Sequence, residues 1–466
     1  MINLTLQAAR FSSGSRGRIA LAIGLLLGVV SSGAVGDDLT WNGAAGIWDT
    51  TTPNWLSTAG SVAWPTSGTA NTAQFAGDAY PVTLVTDVLA NRLEFATDGY
   101  SVSGFGAITL NGTTPTIEVT AGTATLGGSS AVVLSGVDGL TKTGAGLLLL
   151  DGSEPQSLTG GLTVAGGRLS ANYASLVSPV DYFPASNALT LANGTLELIA
   201  SPSGGTSQTF DGLSLGSGRG ALVMNASAGT LAVNLGAITQ REAGGILMVS
   251  GVTTATGRVT NTPAAFVAPW ALSGDSTTSA VRWLYVKDDA SLSTIFGVSP
   301  GTNWVNMTSP TAVYTITGSP TLAGNATAFG VQNNENANRT VTLGNATFMT
   351  GGISKLTAFT DTYTAAGGTG VIQISDHNDL VIVGPGSVTL SAPVVDGVNG
   401  NSAVTQAGGG TLRFDTAAST YTGPTTVNSG VLRVATGGSI NGSSGVVVNG
   451  GRFVQSNATT AVTPPV

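Results

Sequence analysis

Residues 140–152 read Leu140-Thr-Lys-Thr-Gly144-Ala-Gly-Leu-Leu-Leu-Leu150-Asp-Gly152, and residues 404–416 read Val404-Thr-Gln-Ala-Gly408-Gly-Gly-Thr-Leu-Arg-Phe414-Asp-Thr416. The two stretches match position by position, with Gly144 corresponding to Gly408. Short strands that recur between glycine turns are typical of a stacked β-architecture, because each unit covers the hydrogen-bonding edge of its neighbour. The repeat therefore predicts the architecture, although it predicts no chemistry.

The match continues beyond the aspartate in each copy. The first copy goes on with Leu158-Thr-Gly, a Thr-Val pair at Val164 and Leu169, and the second with Tyr421-Thr-Gly, a Thr-Val pair at Val427 and Leu432. One residue of difference in the intervening turn separates the two registers. The repeat unit thus spans about thirty residues, as expected for a solenoid.

The composition predicts an all-β protein with a substantial core. Of 466 residues 67 are glycine, 42% are hydrophobic and only 9% are charged. Glycine without a three-residue period excludes collagen, and the apolar content argues against disorder. Short alternating segments such as 188–192, 194–198 and 445–449 are bounded by Gly or Asn, which predicts short strands. No extended stretch has the spacing of an amphipathic helix.

The charge and the cysteine count exclude several classes of function. A net charge of -8, a pI near 4.6 and 16 scattered basic residues argue against a nucleic-acid partner. With no cysteine and one histidine, the chain has too few ligands for a closed zinc site. We expect no cofactor and no metal, and we expect a continuous stacked core to replace disulfides as the source of stability.

The N-terminus predicts export. Arg10, Arg16 and Arg18 precede an apolar run over residues 19–30, and small residues fill 31–36. These features indicate a secretory signal peptide over residues 1–36 with cleavage near Gly36. The alternative is a membrane anchor, but the apolar run is short for a bilayer span. No second run of that kind follows, so we expect no membrane span in the mature chain.

The segment 37–81 is rich in tryptophan, with four of the seven tryptophans of the chain at Trp41, Trp48, Trp55 and Trp64. These rings either stack on sugars or plug the open end of the first coil, and a terminal position favours the plug. We expect a Trp-rich cap over 37–81 and a solenoid over 82–403 that includes the first repeat at 140–170. The second repeat then occupies 404–466.

The blocks at 140–170 and 404–434 resemble the autotransporter-associated β-strand repeat of bacterial surface proteins. The resemblance implies a right-handed parallel β-helix exported to the cell surface or the extracellular space, and the family assigns no catalytic residues. Members often end in a surface anchor, whereas this sequence ends at Val466 shortly after a repeat. We therefore expect residues 404–466 to be the start of a truncated array. With roughly 20–25 residues per coil the mature chain would form one rod of about 18–20 coils.

Few residues suggest chemistry. The one histidine, His377, lies in Ser375-Asp376-His377-Asn378-Asp379, which suggests either a catalytic or metal site or a solvated turn between Ile374 and Leu380. Neighbours on a strand point to opposite faces, so the turn is favoured and His377 is expected to be exposed. The acid pairs Asp37-Asp38 and Asp288-Asp289 lack the spacing of a calcium loop. We expect no catalytic, cofactor-binding or metal residues.

Three classes of function remain open. The sequence favours a non-enzymatic structural or adhesin-like protein that contacts surface glycans or the surfaces of host or neighbouring cells. The alternative is a glycan-binding module, or a polysaccharide-active enzyme built on a parallel β-helix, which requires converging acids in a groove. Exposed coplanar tryptophans or such an acid cluster would distinguish these alternatives.

Overall fold

The chain forms a β-solenoid. The computed structural model describes residues 36–42, 46–68, 70–227, 229–251, 257–260, 269–274, 282–286, 291–294 and 307–456. These residues form short β-strands and one 3-10 turn at Tyr173–Ser175. The predicted all-β class is confirmed, and the described residues form about 14 turns of solenoid. The predicted signal peptide up to Val35, the pair Asp288-Asp289 and the last ten residues lie outside the described residues.

The strands fall into two stacks, which we call the N-terminal stack (β1–β28) and the C-terminal stack (β29–β44). The strands of the N-terminal stack are β1 Asp38–Trp41, β2 Gly46–Trp48, β3 Trp55–Ser57, β4 Gly60–Val62, β5 Thr72–Phe75, β6 Pro81–Leu84, β7 Val88–Ala90, β8 Arg92–Phe95, β9 Ser101–Leu110, β10 Thr116–Val119, β11 Thr123–Gly136, β12 Leu140–Thr143, β13 Leu147–Leu150, β14 Ser157–Leu158, β15 Leu162–Val164, β16 Arg168–Asn172, β17 Leu189–Leu191, β18 Thr195–Ile199, β19 Gly205–Thr209, β20 Leu213–Leu215, β21 Arg219–Asn225, β22 Thr230–Asn234, β23 Ile238–Arg241, β24 Ile246–Ser250, β25 Gly257–Thr260, β26 Ala271–Ser273, β27 Arg282–Val286 and β28 Ser291–Thr294.

The strands of the C-terminal stack are β29 Thr308–Thr315, β30 Ala326–Asn333, β31 Arg339–Thr342, β32 Thr347–Thr350, β33 Gly352–Lys355, β34 Thr360–Thr364, β35 Val371–Ile374, β36 Asp379–Val383, β37 Ser387–Leu390, β38 Val394–Val395, β39 Ala403–Gln406, β40 Thr411–Phe414, β41 Thr425–Val427, β42 Val431–Val434, β43 Val446–Val448 and β44 Arg452–Gln455.

Successive coils stack through parallel pairing. In the N-terminal stack one column of paired residues runs through Thr116, Thr141, Thr163, Thr190 and Ser214, so one coil takes 22 to 27 residues. The hydroxyl groups of this column form a ladder on the outer face, where such cross-strand pairs add small increments of stability. Among the described strands, the antiparallel pairs lie at the two ends of this stack. There β3 pairs with β1 and β4, β27 pairs with β26 and β28, and β28 also pairs with β25.

Alternation of side chains along each strand builds the core. The strand Thr116–Val119 buries its second and fourth residues, and Leu147–Leu150 does the same although all four of its residues are leucine. Because successive residues of a strand point to opposite faces, one apolar row per strand is enough to fill a coil. The buried rows form one apolar core in each stack.

The two sequence repeats have equivalent structures, as their matched residues predict. Leu140–Thr143 and Leu147–Leu150 in the first copy correspond to Ala403–Gln406 and Thr411–Phe414 in the second. In both copies the first strand pairs in parallel with the Thr-Val strand of the next coil, Leu162–Val164 or Thr425–Val427. The prediction of parallel coils rather than hairpins is confirmed, and the hand of the helix stays a prediction.

Glycine turns bring the coils into close contact. Gly144 has φ of +77°, and a Cβ at this position would lie 2.2 Å from the carbonyl oxygen of Val119 in the preceding coil. A Cβ on Gly408, the corresponding residue, would lie 2.4 Å from the carbonyl oxygen of Gly384. Only glycine permits both the backbone angle and the approach at Gly144, which explains why it punctuates the repeat.

The two stacks pack side by side. Arg241 of the N-terminal stack forms an ion pair with Asp379 of the C-terminal stack. Asn428 donates a hydrogen bond to the carbonyl of Gly244 over 2.7 Å, and Asn449 donates one to Ser217 over 3.2 Å. The coil of Gly244 thus contacts the coil of Asn428, whereas the earlier coil of Ser217 contacts the later coil of Asn449. The stacks therefore run in opposite directions along their contact.

An apolar layer lies between the stacks. Its members are outward-facing side chains from both stacks: Ala221, Ile246, Met248, Leu272, Val313, Phe329, Leu356, Val381, Val383 and Ala407. All five residues of Asp379–Val383 are buried, because the inner row faces the coil interior and the outer row faces the other stack. The expectation of one continuous rod of 18–20 coils was therefore wrong, since the described residues form about 14 turns that are divided between two stacks packed side by side.

Candidate functional site

The tryptophans of segment 37–81 close the end of the N-terminal stack. Trp41, Trp48, Trp55 and Trp64 are at most 2% exposed. The Trp48 and Trp55 rings lie 5.1 Å apart edge to face, and the Trp55 and Trp64 rings lie 4.6 Å apart. The Trp64 indole donates a hydrogen bond to the carbonyl of Leu89 over 2.9 Å, which ties the cluster to a later coil. The prediction of a plug is confirmed, and these rings form no exposed row for sugars.

His377 lies in a turn, as predicted, but its side chain is half-buried rather than exposed. The turn joins β35, which ends at Ile374, to β36, which begins at Asp379. The Nδ1 atom lies 3.2 Å from Asp376 and 3.3 Å from the hydroxyl of Ser375. Burial lowers the pKa of His377, and the neighbouring Asp376 carboxylate opposes this shift. The imidazole packs edge-on against Phe329 at 5.9 Å between ring centres, which explains its burial.

The interpretation of residues 375–379 as a solvated turn was wrong at Asp379, which is buried. Its side chain is 1% exposed and forms the ion pair with Arg241. The Thr405 hydroxyl donates to the same carboxylate at 3.0 and 2.9 Å. Sequence reasoning missed Asp379 and Arg241 because 138 residues separate them. The available signal was the unbroken apolar run after Asp379, which indicates a strand covered on both faces.

Arg241 is held by three groups where the two stacks meet. Besides Asp379, its Nε donates to the carbonyl of Gly245 over 2.7 Å, and its guanidinium lies 5.3 Å from the centre of the Trp270 ring. An arginine over an indole gains a cation–π attraction, which is larger where water is excluded. The contact between the stacks thus fixes the positions of the Arg241 guanidinium and the Trp270 ring.

A cleft of about 360 Å³ opens at this junction, and we call it the junction cleft. Its lining comes from both stacks: Arg241, Ala243, Trp270, His377, Asn378, Asn401, Ala403 and Pro424. Asn378 and Asn401 have φ of 57° and 49°, in the left-handed region that asparagine tolerates better than most residues. Amide, imidazole, guanidinium and indole groups together suit a small polar ligand with hydroxyl groups.

The acid pairs do not form a metal centre in the part of the chain that the structure describes. Asp37 and Asp38 are exposed at the start of β1, and the backbone N–H of Asp37 donates to Asn71 over 3.3 Å. Among the described residues, no group of three or more His, Cys, Asp or Glu side chains is placed to hold a metal ion. Asp288-Asp289 lies outside the described residues.

The repeat motif itself serves the fold. Lys142 is fully buried, and its Nζ donates to the carbonyls of Thr143, Gly144 and Gly146 at 2.7, 3.2 and 3.0 Å. The corresponding residue of the second repeat, Gln406, donates to the carbonyls of Gly408 and Gly410 at 2.9 and 3.1 Å. Both side chains satisfy carbonyls of the glycine turn that would otherwise be buried without a partner.

Comparison with known proteins agrees with the repeat. Residues 140–171 and 404–434 match the passenger-associated-transport-repeat. The adhesin BmaC autotransporter of Brucella suis biovar 1 (strain 1330) is 28% identical over 309 residues, which covers 59% of this chain and 8% of that protein. The chain therefore spans less than a tenth of the length of this relative. No solved structure matches the chain significantly.

The chain thus carries two copies of the passenger-associated-transport-repeat and is similar over part of its length to an adhesin autotransporter, and both similarities support an exported protein of the cell surface or the extracellular space. The resemblance stated from the two blocks alone is confirmed. Among the described residues, none belongs to a helix of the length and apolar character that crossing a bilayer requires.

Proposed function

We propose that this chain is a non-enzymatic, adhesin-like structural protein that holds binding surfaces away from the cell. The observation that carries this proposal is the use of the passenger repeats in stacking: Lys142 and Gln406 cap glycine turns, and neither is available for chemistry. The 28% identity to an adhesin autotransporter supports the same role. Surfaces of host or neighbouring cells and their glycans are the proposed partners.

Binding and turnover distinguish this function from an enzyme. The full chain would be purified, attached to beads and tested for adherence to cells, and in parallel incubated with a panel of polysaccharides beside a His377→Ala variant. We expect adherence without turnover in both proteins, because the passenger repeats serve stacking and the chain is similar to an adhesin autotransporter. Turnover that disappears in His377→Ala would refute the structural role.

The junction cleft supports a second candidate function, a glycan-binding module. The tryptophans of the cap cannot supply it because they are buried, whereas the cleft joins Trp270 and Arg241 to two asparagines. An Asn401→Ala variant and a matched Asn441→Ala variant, whose residue is exposed outside the cleft, separate this function from general adherence. Loss of glycan binding in Asn401→Ala alone would favour the glycan-binding module.

A further inference from the structure

A second buried lysine lies against a buried carboxyl group in the C-terminal stack. Lys355 ends β33 and Asp361 lies in β34, so the two residues face each other across the corner between two faces of one coil. Both side chains are 0% exposed, and the Lys355 Nζ lies 3.4 Å from the Asp361 Oδ1. The pair is therefore removed from water on every side.

The surroundings hold both groups in place. The Lys355 Nζ donates to the carbonyls of Glu335 and Ala337 at 2.9 and 3.3 Å. The Asn333 amide donates to the Asp361 Oδ1 over 3.0 Å. Among the described residues, no group forms a hydrogen bond with the other carboxyl oxygen, Oδ2, which is also buried. One oxygen of Asp361 is thus polarised by a donor, while the other is left without one.

A charged pair is costly in this position. Transferring an ammonium and a carboxylate from water into a protein interior costs several kcal/mol for each ion, and their attraction offsets this only when all hydrogen bonds are made. The unsatisfied Oδ2 does not meet that condition. Burial raises the pKa of Asp361 to about 6 against the lowering effect of Lys355, so this carboxyl group takes up a proton more readily than an exposed aspartate does. Transfer of one proton from Nζ to Oδ2 converts the pair into a neutral amine and a neutral carboxylic acid.

We propose that Lys355 and Asp361 join covalently, through an amide bond between the lysine Nζ and the aspartate Cγ. The Nζ lone pair attacks Cγ, a second Nζ proton passes to the Oδ2 hydroxyl, and the Cγ–Oδ2 bond breaks with release of one water. No oxidant, reductant or further reactant takes part. The product replaces two buried charges by one neutral amide, which removes the cost of burying them.

The neighbouring groups suit this condensation. The Asn333 amide donates to the oxygen that becomes negative in the tetrahedral intermediate, as an oxyanion-hole donor does. The Glu335 and Ala337 carbonyls orient the amine toward the acid. The amine is held next to the carboxyl group it would attack, with Nζ 3.4 Å from Oδ1, so that fixed orientation replaces chance encounter.

Peptide mass spectrometry tests the proposal on the wild-type protein. The full chain is purified, denatured and digested with trypsin, which cleaves after Arg339, Lys355 and Arg413 in this region. We expect one peptide over 340–413 that is lighter than its sequence by one water, because an acylated lysine is not cleaved. Separate peptides over 340–355 and 356–413 with unaltered masses would show an ordinary ion pair and overturn the proposal.

Variants locate the bond. Lys355→Met and Asp361→Ala are both expected to abolish the loss of water. Lys142→Met, which alters the other buried lysine, is expected to retain it, because Lys142 contacts turn carbonyls and is not among the ion pairs of the described residues. If either of the first two variants fails to fold, the wild-type peptide still decides. A loss of water that persists in Asp361→Ala would overturn the assignment.

Discussion

Replacing Lys142 by glutamine is expected to remove a rise in stability between pH 7 and 10. Burial lowers the pKa of Lys142 to about 8, from 10.5 in the unfolded chain, and Glu118 opposes this shift. Above pH 8 the folded protein has lost the ammonium proton while the unfolded chain still binds it. The free energy of unfolding therefore rises with pH until the unfolded lysine also titrates.

The structure sets the magnitude. A difference of one pKa unit corresponds to about 1.4 kcal/mol, so the wild type should gain about 2 kcal/mol between pH 7 and pH 10 relative to Lys142→Gln. Glutamine is the matched replacement because Gln406 occupies the same place in the second repeat and caps the same two carbonyls of the turn. The comparison thus changes the charge and keeps two of the hydrogen bonds.

Guanidinium denaturation of both proteins at pH 7, 8, 9 and 10, followed by circular dichroism, gives the difference in free energy of unfolding at each pH. Titration of tyrosines affects both proteins equally and cancels. A Lys142→Met variant at pH 10 measures the contribution of the hydrogen bonds to the turn carbonyls. It should be less stable than wild type by about 1–3 kcal/mol, because these carbonyls lose their donor. A difference between wild type and Lys142→Gln that stays constant with pH would refute the reasoning.

Three further changes test other parts of the fold by the same denaturation assay. Trp48→Ala should cost about 3–5 kcal/mol, because a fully buried ring is removed from the cap; an unchanged midpoint would contradict the plug. Arg241→Met leaves the buried Asp379 without its ion-pair partner and should lower the free energy of unfolding by about 3–5 kcal/mol. Arg168→Met alters a side chain that is 49% exposed and should lower it by less than about 1 kcal/mol. Equal effects would argue against a buried ion pair between the two stacks. Gly144→Ala should destabilise more than Gly77→Ala, because the two glycines have similar φ, +77° and +75°, but only at Gly144 would a Cβ meet backbone within 4 Å. Equal losses would show that the backbone angle alone decides.

The sequence predicted the coils and the cap because both depend on local patterns. Gly144 and Gly408 mark turns, and alternation on strands such as Thr116–Val119 marks the inner row. The aromatic segment was placed correctly because four large rings near one end of a stack have few other places to be buried. These features need only the residues of one coil and its neighbour.

The packing of the two stacks against each other and the junction cleft were not predicted. The runs Ile246–Val249 and Asp379–Val383 are buried on both faces, yet nothing local states which distant coil covers the second face. Asp379 was read as solvated because its partner Arg241 comes from the other stack. Burial of Lys355 and Asp361 was likewise missed, because charged residues are usually exposed and their partners Asn333 and Glu335 lie in the preceding coil.

The packing of the two stacks against each other changes which coils unfold together. A solenoid whose coils touch only their neighbours behaves as a one-dimensional chain of coupled units, and it can fray one coil at a time from either end. Here the coils near Ser217 and Gly244 also contact the coils near Asn449 and Asn428. Opening any of them breaks contacts in a second direction, so these coils are expected to melt as one block. The coils nearer the cap lack that lateral coupling in the described contacts, and the tryptophan plug supplies the boundary that keeps their end from fraying.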